Sequence, residues 1–221
     1  MVGTVERVEA VVRPRLRGWL HTGAAPLSVA AGIVLVSLAP SGSARIAAAI
    51  YAVTCTLLFG VSAVYHRREW GPRTYGFLRR FDHANIFLII AGSYTPFAVL
   101  LLDGPARIWL LTLVWSGAVL GVLFRVFWSH APRWLYVPVY LALGWVAVVY
   151  LPQFLDEGAV VVLVLIATGG LLYSLGAVVY GTKRPNPSPG WFGFHEVFHS
   201  LTIAAYIVQY VAASMVVYAG R

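Results

Sequence analysis

Two histidines four positions apart, His195 and His199, form the sequence H-E-x-x-H. On an α-helix, side chains at i and i+4 lie on one face about one turn apart, which lets two imidazoles bind the same zinc ion. The pair lies at the start of a long apolar segment. Ionisable side chains in such segments are costly in lipid and are usually functional. The pattern therefore predicts a metal site inside a membrane, with zinc (Zn2+) as the metal.

A zinc site that performs catalysis needs at least three protein ligands and one open position. The chain contains no His, Asp, Glu or Cys after His199, so a third ligand cannot follow on the same helix as it does in soluble H-E-x-x-H proteases. His66, at the end of another apolar segment, is the candidate third ligand. Asp82 could either bind the metal directly or hold its water and relay a proton.

The amino-acid composition indicates which kind of helices must position these residues. With 60% hydrophobic residues, 11% charged residues and a mean hydropathy of +0.79, the chain is too apolar for a soluble domain. It contains seven apolar stretches, each near the roughly 20 residues that a membrane-spanning helix needs. These stretches cover 20–39, 45–66, 81–101, 107–128, 134–151, 159–180 and 192–217. The sequence predicts an all-α bundle of seven transmembrane helices.

We divide the chain into two parts on this basis. Residues 1–19 form an N-terminal segment, in which spaced valines predict a short amphipathic helix on the cytoplasmic membrane surface. A frayed polar terminus is the alternative. Residues 20–221 form the seven-helix domain that carries the zinc site. The connection at 67–80 is the longest and is charged, and no soluble domain fits between the spans.

The net charge of +8 is distributed unevenly between the two sides of the predicted bundle. When alternate connections are assigned to opposite sides, 13 basic residues fall on the side of the N-terminus and three on the other. The positive-inside rule then places the N-terminus in the cytoplasm, in a protein of the cell membrane, which we expect to be a bacterial plasma membrane. The basic charge indicates topology and contact with anionic lipids rather than binding of nucleic acid.

The same topology brings the candidate site residues to one depth. His66 ends the second span, Asp82 begins the third, and His195 and His199 begin the seventh. All four are expected near the cytoplasmic face, although they are separated by more than a hundred positions in the chain. Hydropathy alone does not require this convergence, which therefore supports a shared site.

Three sequence blocks together resemble the hemolysin III branch of the progestin and adipoQ receptor family. They are S-A-V-Y-H at 62–66, F-D-H-A-N-I-F-L-I-I-A-G-S-Y-T-P-F at 81–97 and H-E-V-F-H at 195–199. The resemblance covers essentially all seven spans and implies zinc held by three histidines, which match His66, His195 and His199. In adiponectin receptors, which the chain also resembles, the residue matching Asp82 contacts a water at the zinc. Those receptors are implicated in ceramide amide hydrolysis, and the family is linked to membrane-lipid homeostasis.

Several of these residues have simpler interpretations. Asp82 could pair with Arg79 or Arg80, or favour a helix N-terminus, where a carboxylate is stabilised by about 0.3–1 kcal/mol. Glu196 lies about 100° around the helix from His195, so it is equally well interpreted as a solvated interfacial charge or as a catalytic base. Ser62 lies one turn before His66 and could orient it or a substrate oxygen, or satisfy its own helix backbone.

The remaining histidines are not expected to be metal ligands. His83 points away from Asp82 on a helix and is interpreted as a residue behind the ligands or at a helix interface. His21 and His130 lie at span ends and are expected at the membrane interface. The single cysteine, Cys55, lies inside the second span and is expected to pack there.

The leading hypothesis is a zinc-dependent hydrolase acting on an amide or ester of a membrane lipid, with a ceramide-like substrate. Zinc would polarise the carbonyl while Asp82 or Glu196 accepts a proton from water, with Ser62 as a third candidate in the catalytic site. The alternative is a non-enzymatic membrane sensor or homeostasis protein in which zinc is structural. A pore-forming cytolysin is less favoured, because the spans are continuously apolar and few charged residues could line a wide aqueous route.

Overall fold

The computed structural model describes residues 14–150, 152–153 and 160–219, and seven long helices dominate this part of the chain. They are α1 Trp19–Leu38, α2 Ser43–Arg67, α3 Pro72–Leu101, α4 Gly104–Phe127, α5 Arg133–Gly144, α6 Val160–Thr182 and α7 Phe194–Tyr218. The described residues form no strand, apart from one isolated bridge between Ser188 and Phe192. The predicted all-α bundle of seven membrane-spanning helices is confirmed. The predicted amphipathic helix lies in residues 1–13, outside the described residues.

The helices pack mainly against their neighbours in the chain, and α7 returns to the start of the bundle. Pairs α1–α2, α2–α3, α3–α4 and α6–α7 form the largest contacts, while α7 also touches α1, α2 and α3. Helix α3 is the most enclosed, whereas most of α6 faces outward. Because the outward side chains are largely apolar, the surface of the bundle contacts membrane lipids.

The packing between α3 and its neighbours depends on small residues and on buried apolar side chains. Phe87 on α3 is fully buried and lies against Gly121 on α4. A Cβ atom at position 121 would approach the Phe87 ring to 2.3 Å, so only glycine allows these two helices to approach so closely. Cys55 is buried in the same core with a free thiol, consistent with its predicted packing role.

Five of the seven spans begin and end within three residues of their predicted bounds, and two differ in an informative way. Helix α3 begins at Pro72 rather than at 81, because the apolar pattern indicates where a helix enters lipid and not where it begins. Proline favours the first turn of a helix, where its missing N–H costs no hydrogen bond. The charged connection predicted at 67–80 is therefore mostly helix, and only residues 68–71 join α2 to α3.

The fifth span is interrupted rather than continuous. Helix α5 ends at Gly144, and a 3-10 helix follows at Val146–Tyr150. The Tyr94 hydroxyl of α3 donates to the Gly144 carbonyl at 2.6 Å and accepts from the Ala147 backbone N–H at 3.0 Å. These bonds satisfy backbone groups that the break frees inside the membrane, where water is scarce.

Alternating helix directions place one set of helix ends at the same end of the bundle. Helices α1, α3, α5 and α7 begin there, and α2, α4 and α6 end there. We call it the histidine end, because His66, His195 and His199 lie there. That this end faces the cytoplasm stays a prediction from the charge distribution.

The chain before α1 lies across the connection between α6 and α7 at the histidine end. The backbone N–H groups of Arg15 and Leu16 donate to the carbonyls of Gly190 and Trp191, at 3.0 and 3.1 Å. Gly18, which follows, has a φ of 81° and lies directly against His66. A Cβ atom at this position would be 2.7 Å from the Cβ of His66, so glycine is required for both reasons.

Candidate metal centre

Three histidines from two helices converge at the histidine end. His66 lies in the last turn of α2, while His195 and His199 lie in the first turns of α7. One ligand atom from each histidine lies within 4.8 Å of the other two. The Nε2 atoms of His66 and His195 are 3.1 Å apart. His66 and His199 are buried, and His195 is partly buried.

This arrangement fits a metal ion. Two nitrogens that each lie 2.0–2.1 Å from a tetrahedral zinc are about 3.4 Å apart, close to the separation of the His66 and His195 nitrogens. The Nδ1 atom of His199 is buried without a hydrogen-bond partner among the described residues. Buried polar groups normally have a partner, so this unpartnered nitrogen is consistent with a bound group that is not among the described residues. Imidazole ligands suit zinc and several other transition metals.

The start of α7 is held by a capping box, which fixes the orientation of the two histidines that follow. The Glu196 side chain accepts a hydrogen bond from the Gly193 backbone N–H through Oε2, at 2.9 Å. The Asn186 side chain accepts from the Phe194 backbone N–H at 3.0 Å. The first helical N–H groups, which have no partner within the helix, are thereby satisfied.

Glu196 is completely buried, so its interpretation as a solvated interfacial charge is wrong. Its second oxygen, Oε1, accepts from the Arg17 side chain at 2.5 Å. Both carboxylate oxygens are therefore engaged, one by the α7 backbone and one by the segment before α1. The geometry gives Glu196 a role in holding the site together, and its role as a base stays a prediction.

We expect Glu196→Gln to destabilise the protein, because the half-buried guanidinium of Arg17 loses its charge partner. Breaking a buried pair on one side costs about 3 kcal/mol, which thermal unfolding of the purified protein measures as a lower midpoint. Arg17→Gln should produce a similar loss, and the double variant less than the sum of both. Glu69→Gln, at an exposed position, is the control. Unchanged unfolding with abolished turnover in Glu196→Gln would instead identify a base.

Asp82 and Ser62 lie beside the three histidines. An Asp82 carboxylate oxygen, Oδ2, is 3.8 Å from His66 Nε2. Ser62 lies near the same carboxylate, and both residues line the same cavity. Among the described residues, neither Arg79 nor Arg80 forms an ion pair with Asp82. The structure therefore gives no support to the interpretation that Asp82 pairs with one of these arginines. Asp82 is adjacent to the three-histidine set without belonging to it.

A cavity of about 670 Å³ extends from this cluster through the bundle. Its lining includes His66, His195, His199 and Asp82 at the histidine end. On α6 the lining residues run from Leu163 to Tyr180, which corresponds to about 26 Å along the helix axis. Away from the histidine end most lining side chains are apolar, so one elongated cavity joins a polar end to an apolar interior.

Comparison with known proteins identifies the family. The model of a family described as haemolysin-III related matches residues 10–210. The chain belongs to this family. The recognition of the hemolysin III branch from three sequence blocks is thus confirmed.

The haemolysin-III-related chain is similar to named proteins over most of its length. It is 31% identical over 163 residues to Hemolysin-3 of Bacillus cereus, covering 72% of this chain and 74% of that protein. It is 32% identical over 181 residues to the Hemolysin-3 homolog of Bacillus subtilis (strain 168), covering 80% and 81%. A human protein, monocyte to macrophage differentiation factor, is 26% identical over 175 residues, covering 76% and 69%. The family and the seven apolar helices together make it a multi-pass protein of the cell membrane.

A fourth histidine of the haemolysin-III-related chain, His21 on α1, lies at the site and was not predicted there. The expected interfacial position is wrong, since His21 is only 2% exposed. Its ring stacks on His199 with centroids 3.7 Å apart and planes inclined by 12°. Neither of its ring nitrogens has a hydrogen-bond partner among the described residues. The depth argument that grouped His66 with His195 would also have included His21, which begins a span at the same end.

The other two histidines are separate from the cluster. His83 donates from Nδ1 to the Arg79 carbonyl at 2.6 Å, so its Nε2 accepts from the Tyr180 hydroxyl at 3.1 Å. His83 lines the cavity but does not belong to the three-histidine set. This position is consistent with its interpretation as a residue behind the ligands. His130 is exposed in the connection after α4, consistent with an interfacial position.

Proposed function

We propose that this haemolysin-III-related protein is a zinc-dependent hydrolase that cleaves an amide or ester bond of a membrane lipid. The observation that carries the proposal is the position of the three histidines at the polar end of an elongated, largely apolar cavity. A cavity of about 670 Å³ is within the range of small-molecule sites. His66, His195 and His199 would hold the metal.

The reaction adds water across the scissile bond, giving a carboxylic acid and an amine or alcohol. Bound zinc supplies a Lewis acid that polarises the carbonyl. The Asp82 carboxylate, which lies 3.8 Å from His66, accepts a proton from the attacking water and returns it to the leaving group. Ser62 orients this carboxylate. Glu196 serves to fix α7, since both of its oxygens already accept hydrogen bonds.

The apolar part of the cavity binds the acyl chain of the substrate. Each buried methylene group contributes about 0.8 kcal/mol, so a long chain supplies binding energy without any directional contact. Enclosure by α3, α5, α6 and α7 also limits water around the reacting carbonyl. A ceramide-like amide that places its N-acyl chain in the cavity meets these requirements, and so do single-chain lipid amides.

One observation favours the non-enzymatic alternative, a membrane sensor with structural zinc. The three histidines join α2 to α7, and these two helices make few other contacts with each other. A metal at this position would therefore stabilise the bundle even without catalysis. The cytolysin hypothesis gains no comparable support, because the cavity that contains the histidines lies within one bundle and has a mainly apolar lining.

Removal of the metal separates hydrolysis from a purely structural role. We expect purified protein in lipid to hydrolyse at least one member of a panel of fluorescent ceramides, other lipid amides and esters. A chelator should abolish this turnover, and stoichiometric zinc should restore it. If zinc is only structural, the chelator lowers the unfolding midpoint while no substrate in the panel is turned over in any state. That result would contradict the hydrolase proposal.

A further inference from the structure

The end of the cavity nearest the three histidines is strongly basic. Four cationic side chains line it: Arg17, Arg79, Arg133 and Lys183. Asp82 is the one acidic side chain of the lining within the described part of the chain. Because Arg17 is engaged by Glu196, three cationic groups remain for a single carboxylate. A divalent metal on neutral histidines would increase this positive charge further.

Three arginines, Arg79, Arg125 and Arg133, lie in or beside this wall. Arg79 and Arg133 line the cavity. The guanidinium of Arg125 lies over the ring of Tyr136, whose hydroxyl is 3.2 Å from that of Tyr180. Arg133 donates to the Tyr180 carbonyl at 3.0 Å and lies over the Tyr180 ring, which holds its guanidinium against the cavity wall. None of the three arginines has a carboxylate partner among residues 14–150, 152–153 and 160–219.

Arg125 shows that this positive charge is incompletely neutralised. It is 1% exposed, and its Nε and Nη1 atoms have no hydrogen-bond partner in the described part of the protein. Its guanidinium lies over the ring of Tyr136, a residue of the cavity wall. An arginine side chain stays charged in proteins, and a buried charge is costly unless another charge compensates it. An anion in the adjacent cavity would supply that compensation.

Membrane topology alone does not account for the position of these cations. The positive-inside rule requires basic residues near one surface but does not require them to line a cavity. Arg73 and Arg80, on the same helix as Arg79, satisfy that rule, since both are exposed and neither lines the cavity. Arg79 is half-buried and forms part of the wall. Arg133 is likewise half-buried, whereas Lys183 is exposed, so Arg79 and Arg133 are the basic groups of the wall that topology leaves unexplained.

We propose that the cavity binds a single-chain amphiphile with an anionic head group, either a carboxylate or a phosphate. Arg79, Arg133 and Lys183 hold the head, and the apolar part of the cavity holds the acyl chain. This inference rests on the proposed function, because it names the class of lipid that the proposed hydrolase would bind as substrate. Binding itself does not depend on catalysis and can be measured separately.

The test compares three probes with the same oleoyl chain, bound to the full-length protein in neutral phosphatidylcholine nanodiscs. N-oleoylglycine carries a carboxylate, oleoyl lysophosphatidate a phosphate and N-oleoylethanolamine no charge. Binding is measured after treatment with a chelator, so that a metal cannot account for a preference for anions. An anionic head group forms charge-assisted hydrogen bonds that a neutral head group cannot form. We therefore expect an anionic probe to bind at least about tenfold more tightly than the neutral one.

The variants assign the preference to the cavity wall. Arg79→Gln, Arg133→Gln and Lys183→Gln should each reduce the preference for the anionic probe. Arg80→Gln removes the same charge from the next position of α3, outside the cavity, and should retain the preference. Comparison of the two anionic probes then shows whether the cavity prefers a carboxylate or a phosphate head group.

Equal affinity of all three probes for the wild type would overturn the inference, as would an equal loss in Arg80→Gln and Arg79→Gln. The proposed function fails independently. If no probe or lipid is hydrolysed but the anionic preference persists, the inference holds and the hydrolase proposal is wrong. If neutral amides are hydrolysed and no probe is preferred, the hydrolase proposal holds and the inference is wrong.

Discussion

His199→Ala is expected to abolish both metal binding and lipid hydrolysis. A zinc ion held by three histidines loses a third of its protein ligands, and two imidazoles do not provide the set that catalytic zinc sites use. The Lewis-acid contribution of several kcal/mol disappears with the metal, so turnover should fall by about 10³-fold or more. Metal analysis of the purified variant and turnover on the substrate panel measure the two effects.

His66→Ala should reproduce both losses, although His66 belongs to a different helix and lies 129 positions away from His195. The matched control is His130→Ala, which removes an exposed histidine near the same end of the bundle. The control should retain metal and turnover. A His199→Ala protein that kept its metal and its activity would show that the cluster is not the metal site.

Asp82→Asn is expected to separate catalysis from metal binding. The amide occupies nearly the same volume as the carboxylate and can still contact Ser62, but it cannot accept a proton at neutral pH. General acid–base catalysis contributes about 10²–10⁴-fold, so turnover should fall by that factor while the metal content stays unchanged. Asp82 lies beside the three-histidine set rather than in it, which is why the metal should be retained.

The control for this variant is Asp103→Asn, at an exposed position at the opposite end of the bundle, where Asp103 pairs with Arg107. It should leave both quantities unchanged. Normal turnover in Asp82→Asn would exclude Asp82 as the proton acceptor. Loss of metal together with turnover would instead identify Asp82 as a ligand, contrary to its assigned role.

The convergence of the site could be predicted from the sequence because it depends on topology. Once seven spans alternate in direction, the end of α2 and the starts of α3 and α7 must lie at one end of the bundle. His66, Asp82 and His195 are therefore brought to the same depth before any contact is known. The i, i+4 spacing of His195 and His199 supplies the remaining geometry.

The unpredicted parts of the site depend on contacts between segments distant in the chain. Glu196 appears exposed from its position at a span end, and it is buried because the segment before α1 folds back and places Arg17 on it. His21 appears interfacial for the same reason, and the stack on His199 depends on how α1 packs against α7. Neither the hydropathy pattern nor the local motif contains this information.

The predicted start of α3 and the predicted end of α5 were wrong for a different reason. Hydropathy indicates which residues lie in lipid, and it does not indicate whether their backbone is helical. The charged first turns of α3 are helical but precede the apolar stretch, so the apolar pattern does not include them. The break after α5 lies inside an apolar stretch, and it is stabilised by the Tyr94 hydroxyl of a different helix.

X-ray absorption at the zinc edge, recorded on the purified protein in lipid, determines whether the three histidines form an open metal centre. We expect three nitrogen ligands at about 2.0–2.1 Å and at least one further light-atom ligand that exchanges with solvent. The His66→Ala and His199→Ala proteins should give no such signal. Absence of bound metal in the wild type, or a closed shell of four protein ligands, would contradict the proposed catalytic centre.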